Sequence, residues 1–161
     1  MKTKHPLAWL IIAGCLFFSG CNYDLPLTEK PTRKVDPRLL GDWVSFDKDE
    51  QKVEQMHVRK LDDSTYIVAM DKDLYRVFHS DFADTSFVSV QDLQSGDGYG
   101  KYGYYVWQLS ADGQQLTIKG IRTEVVSEGT KGREALQKLI KDNLANPKLY
   151  GEPIVFTPKK R

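Results

Sequence analysis

Tyr102-Gly103-Tyr104-Tyr105-Val106-Trp107-Gln108-Leu109, a turn at Ala111-Asp112-Gly113, and a second run from Gln115 to Ile121 decide the fold class. Both runs are rich in residues that favour extended backbone, and an Asp-Gly step between two such runs is a strong hairpin signal. Alternation puts Tyr102 and Tyr104 on one face of the first strand and Tyr105 and Trp107 on the other. One face is expected to be core. The other is a candidate ligand or partner surface, able to stack against a glycan, a peptide or an apolar ligand. With Tyr99 these residues form an aromatic cluster beside a glycine loop, and core packing with cross-strand pairing is the simpler account of the whole cluster.

Upstream, short apolar runs alternate with polar turn clusters. Val53 to Leu61 places Met56 and Val58 on one face. Asp62-Asp63-Ser64 is a turn, and Thr65 to Met70 is a strand. Asp71-Lys72-Asp73 is the next turn, and Leu74 to Phe78 and Ser86 to Val90 continue the pattern. Ser95 to Gly100 reads as a flexible glycine loop, and Thr123 to Val126 extends or follows the strand ending at Ile121. The reading is mainly β, an antiparallel meander or small barrel. One C-terminal amphipathic helix is expected from about Lys131 to Leu144. Its apolar stripe is Leu136, Leu139, Ile140 and Leu144, Thr130 is the candidate cap, and Asn143, Asn146 and Pro147 end it. A last strand, Pro153 to Thr157, precedes a basic tail, residues 159–161.

The domain opens at Leu39-Leu40-Gly41-Asp42-Trp43-Val44. A Gly-x-Trp entering a first strand is similar to the opening of lipocalins, and strands followed by a late helix resemble their layout. The resemblance implies that Trp43 closes one end of a barrel, and that a small apolar ligand could enter a free interior. If the helix instead crosses an open sheet or plugs its mouth, the free strand edges become the partner surface. The large side chains from Tyr102 to Trp107 can fill a small barrel, which tips the expectation toward the second arrangement.

The amino terminus carries an address. Met1-Lys2-Thr3-Lys4-His5 is basic, Leu7 to Phe18 is apolar but for Gly14 and Cys15, and Phe18-Ser19-Gly20-Cys21 is a small-residue exit. That order is a secretory signal, too short for a membrane-spanning helix. The exit resembles the lipobox of bacterial lipoproteins. The resemblance implies a diacylglyceryl group on Cys21, cleavage before it, and acylation of the new amino terminus. Ile12-Ala13-Gly14-Cys15 is a rival site, but it leaves too short an apolar core. Asn22 after the cysteine, where an inner-membrane lipoprotein of enteric bacteria tends to carry Asp, implies the outer membrane. Residues 1–20 are therefore read as the signal peptide, 21–37 as a tether, and 38–158 as one β-rich domain. Pro26, Pro31 and Pro37 make the tether extended and solvated. Fully extended, it would lift the domain roughly 50 Å from the lipid.

The formal charge of +1 becomes 21 Lys and Arg against 22 Asp and Glu once Lys2 and Lys4 are removed. No basic field attracts nucleic acid. Both cysteines, Cys15 and Cys21, lie in the signal region, so no disulfide, zinc or haem motif is expected in the domain. His57 and His79 are its histidines. His79 has Ser80 and Asp81 beside it, but a triad needs a positioned nucleophile and an oxyanion hole, and no Gly-x-Ser-x-Gly elbow exists. Asp71-x-Asp73 and Asp81-x-x-Asp84 lack the spacing of a calcium loop. No catalytic residue, metal ligand or cofactor is assigned. The expectation is a monomeric, lipid-anchored envelope protein that works by binding or assembly contacts with an envelope protein partner. A carrier of an apolar ligand is the alternative, and an enzyme stands last.

Overall fold

A computed structural model describes residues 22–47, 51–94 and 96–160. The signal stretch, both cysteines, Ser95 and Arg161 lie outside the described residues. Eight strands follow one another: β1 Gly41–Asp47, β2 Lys52–Lys60, β3 Thr65–Met70, β4 Asp73–Phe82, β5 Thr85–Asp92, β6 Tyr102–Leu109, β7 Leu116–Gly120 and β8 Ile154–Pro158. Each pairs antiparallel with the next, and β8 returns to β1 through Trp43↔Pro158 and Val44↔Thr157, so the sheet is a closed barrel. The helix α1, Arg133–Asp142, lies between β7 and β8. The architecture is consistent with the lipocalin-like barrel that the Gly-x-Trp opening led to expect.

Two-residue alternation sorts the side chains. Trp43, Met56, Val58, Tyr66, Val68, Val77, Val90, Trp107, Ile118 and Phe156 point inward and form one buried cluster. A 3-10 turn, Pro37–Leu39, closes the end where β1 begins. It buries Leu39, whose carbonyl accepts a bond from the Trp43 Nε1–H at 3.0 Å. Gly41, between them, has φ +150°, a backbone conformation that side chains rarely adopt.

The open-sheet alternative, with the helix over the mouth, does not form. Helix α1 lies outside the barrel wall. The reason is that β5 and β6 are apolar on both faces: Val88, Val90, Tyr105 and Trp107 face in, while Phe87, Tyr104 and Val106 face out. The outer set must also be covered. Leu136 and Ile140 of the predicted stripe are buried against it, and Leu139 and Leu144 are partly buried there. Thr130 is not the cap: Gly132 holds that position and no side chain bonds to it. Residues 123–126 form a turn, not a strand, and bury Val126 in the outer cluster.

The stretch expected to be a solvated tether is extended but docked. Tyr23 and Leu27 are buried between the barrel wall and α1. Tyr23 exchanges both backbone bonds with Tyr102, at 3.0 and 2.8 Å, and its hydroxyl donates to the Val126 carbonyl at 2.6 Å. Gln137 Nε2 donates to the Leu27 carbonyl at 2.9 Å from above. Further on, the segment serves a bare edge. Strand β3 pairs with β4 only as far as Phe78, yet β4 runs to Phe82. Thr32 takes the uncovered part: its N–H donates to the His79 carbonyl at 2.9 Å, and its hydroxyl accepts from the Asp81 N–H at 2.8 Å. An unpaired edge is a pairing template, so covering it suppresses wrong partners. Residues 22–36 are thus a strap.

Candidate functional site

The candidate surface formed by Tyr102, Tyr104, Tyr105 and Trp107 is covered. Tyr105 and Trp107 are buried inside the barrel. Tyr104 is buried outside it, its ring centroid 4.5 Å from that of Tyr23 and its hydroxyl donating to the Leu25 carbonyl. Tyr102 pairs by backbone with Tyr23 and is partly buried in the same outer cluster. Burial pushes the Tyr23 and Tyr104 hydroxyls well above the usual phenol range. The strap and α1 occupy the face that a partner would have used.

His79 and Ser80 are adjacent in β4 and therefore face opposite ways. His79 points into the closed end, with Nε2 3.2 Å from the Tyr66 hydroxyl. That hydroxyl also accepts from the Asp36 N–H at 2.7 Å. Ser80 points out, bonded to Ser89 at 2.8 Å and Thr28 at 2.9 Å beneath the strap. The two cannot act together on one substrate. Both belong to the seam that holds the strap.

The seam carries a pH dependence. Burial, and then the Arg33 guanidinium, push the His79 pKa down, while Asp81 and Asp36 oppose them more weakly. The native state keeps the ring neutral where the unfolded chain takes up a proton. Stability contributed this way is fully present above the unfolded pKa of about 6.5 and is lost as the pH falls below it. Urea midpoints are expected to fall as the pH drops below about 6.5 in the wild type and to flatten there in His79→Gln. Parallel pH profiles for the two would exclude this origin.

His57 lies on the outer wall directly opposite Asp42 in register, and its Nδ1–H donates to that carboxylate at 2.8 Å. The bond from His57, and then that from Arg59, hold the Asp42 carboxyl down at about 2. This is a cross-strand polar ladder on a convex wall. Two of the four candidate calcium carboxylates have cations instead: Asp71 meets Lys52 Nζ at 3.1 Å, and Asp81 pairs with Arg33. Among the described residues no group of three metal-ligating side chains converges. The basic tail is tied at its root, with the Lys159 N–H on the Asp42 carbonyl at 2.8 Å and its Nζ on Gln55 at 2.9 Å.

A set of outward apolar side chains was not singled out in the sequence. Phe46 and Val53 are direct partners across β1 and β2, and 53% and 54% exposed. Val155, Leu74 and Leu25 are exposed as well, and so is Tyr99, the one member of the aromatic cluster left in the open. The signal was present in parity: Phe46 is out of phase with inward Trp43, and Val53 with inward Met56 and Val58. The chain matches no family model, and no curated protein and no solved structure matches it.

Proposed function

We propose that the protein is a lipid-anchored component of a bacterial cell envelope, acylated at Cys21 and held at the outer membrane, whose barrel works by surface contact. The observation that carries this reading is the filling of the barrel by its own side chains. Tyr66, Met56, Val58, Leu116, Ile118 and Phe156 meet inside it with almost no exposure. An eight-stranded barrel is just wide enough for side chains to fill it or to hold one small ligand. Here two inward Trp and three inward Tyr, with Met56 and Phe156, take up that width. The convex wall carries exposed apolar residues beside a polar ladder of His57, Asp42 and Arg59.

The lipocalin-like carrier is the second reading, supported by the external helix and by the 3-10 turn under Trp43. One preparation separates the two. The acylated protein is recovered from its own membrane, cross-linked, and also extracted with organic solvent. A cross-linked envelope protein with no stoichiometric small molecule in the extract is the expected result. A stoichiometric apolar molecule would establish the carrier instead.

A further inference from the structure

The chain enters the folded domain at Asn22 with no free stretch before the strap. Strand β6 begins at Tyr102, but β7 pairs with it only from Tyr105↔Gly120. Tyr23 takes part of the edge that β7 leaves, through its two backbone bonds to Tyr102. The Tyr23 hydroxyl donates to the Val126 carbonyl, and Asn22 Nδ2 donates to Glu128 Oε1 at 2.7 Å. The Tyr23–Tyr102 bridge is antiparallel and Asp24 pairs with Lys101, so the chain before Tyr23 runs back along β6 toward Tyr104. There Ile121 already holds the edge, its N–H donating to the Tyr104 carbonyl at 2.8 Å. The chain therefore leaves the barrel wall beside the loop 122–130.

Cys21 is one peptide unit, about 3.8 Å, from that docked residue. A diacylglyceryl group on its thiol adds only a side chain and a glycerol between Asn22 and the lipid. The docking is not a loose surface contact: Tyr23 and Leu27, the next residues of the strap to turn inward, are buried.

We propose that anchor and barrel form one docked unit, in which the loop 122–130 and the residues leading into α1 are held against the lipid headgroups. The inference rests on the reading of Cys21 as the acylated residue. The neighbour is lipid because the link from Asn22 is too short to place anything else there. Exposed side chains on this patch are polar and of both signs, Arg122, Glu124, Glu128 and Lys131, while Val126 is buried against the wall. The patch therefore lies on the headgroups without entering the acyl region, and the short link holds it there. The consequence is reach. A free tether would carry the domain roughly 50 Å from the lipid. A docked one keeps every surface of the barrel within the barrel's own dimensions of the bilayer, so the envelope partner is a protein at that same surface.

The test uses the acylated mature protein in phosphatidylcholine vesicles that carry a nitroxide on the headgroup, a quencher that acts only at short range. With Cys21 acylated, an introduced cysteine is the one free thiol and takes a fluorophore. Ser127 and Lys131 are exposed on the patch. Leu61 is exposed at the far end of β2, the strand across the barrel from β6. Fluorophores at Ser127→Cys and Lys131→Cys are expected to be quenched several-fold more than one at Leu61→Cys. A flexible Gly-Ser linker of about fifteen residues between Cys21 and Asn22 is expected to remove the difference. Equal quenching at the three positions without the linker would overturn the docked unit. So would a difference that survives the linker, since the patch would then hold lipid by itself. Intact mass is measured first: an unacylated Cys21 removes the anchoring reading and the docked unit together, whereas an acylated Cys21 with equal quenching removes the docked unit alone.

Discussion

Trp43→Ala is expected to lower the unfolding free energy by about 3–5 kcal/mol, read as a fall in urea midpoint at unchanged slope. Trp43 is buried where the barrel closes, between the 3-10 turn and the inward side chains of β2 and β8. The loss has two parts. Removing the indole leaves a void that the staggered strands cannot collapse into, because closure fixes their separation. It also strands the Leu39 carbonyl, which loses the Nε1–H bond at 3.0 Å. Trp43→Phe separates the parts: it keeps most of the ring and forfeits the bond, so it is expected to cost less, about 1–2 kcal/mol. An unchanged midpoint in Trp43→Ala would mean that the ring contributes nothing to closure.

The antiparallel strands were legible because their signals are local, whereas closure into a barrel was not. Asp112-Gly113 between two aromatic runs gives a hairpin whatever the rest of the chain does, and Gly113 takes φ +69° in the observed turn. Thr65 to Met70 and Tyr102 to Leu109 were read to their observed ends. The end of β4 was not legible. His79, Ser80 and Asp81 look like the polar start of a turn, and only tertiary partners make them strand: Ser89 across the sheet, Tyr66 within the barrel, and the strap along the edge. The side of the sheet that α1 covers was equally hidden. Phe87, Tyr104 and Val106 look like one alternation phase among several until the barrel closes and assigns inside and outside.

For the contact surfaces, the residue types were legible and their placement was not. Tyr102, Tyr104, Tyr105 and Trp107 are conspicuous by composition, yet closure and the strap bury three of them and half-bury the fourth. Phe46, Val53 and Leu74 attract no notice in the sequence, because each sits beside polar neighbours. Their grouping depends on which strand ends share one rim, which only the antiparallel register supplies.

A chain beginning at Val35 is expected to be less stable than one beginning at Asn22 by about 5–10 kcal/mol, the sum of burying Tyr23 and Leu27 on the usual scale for large core side chains. That is comparable with the whole stability of a small domain, so the shorter chain is expected to be marginal or unfolded at room temperature. The argument runs through three losses. The outer faces of Phe87 and Tyr104 and the helix residues Leu136 and Ile140 lose the apolar filling between them. The edge of β4 beyond Phe78 loses Thr32 and offers its bare backbone to other chains. The buried Ser80–Ser89 pair loses Thr28 and the Leu27 N–H. A milder change keeps the test informative if the short chain fails to fold: Leu27→Ala alone is expected to cost about 2–5 kcal/mol and to increase binding of an apolar dye. Equal urea midpoints for the Asn22 and Val35 chains would return residues 22–34 to the status of a tether.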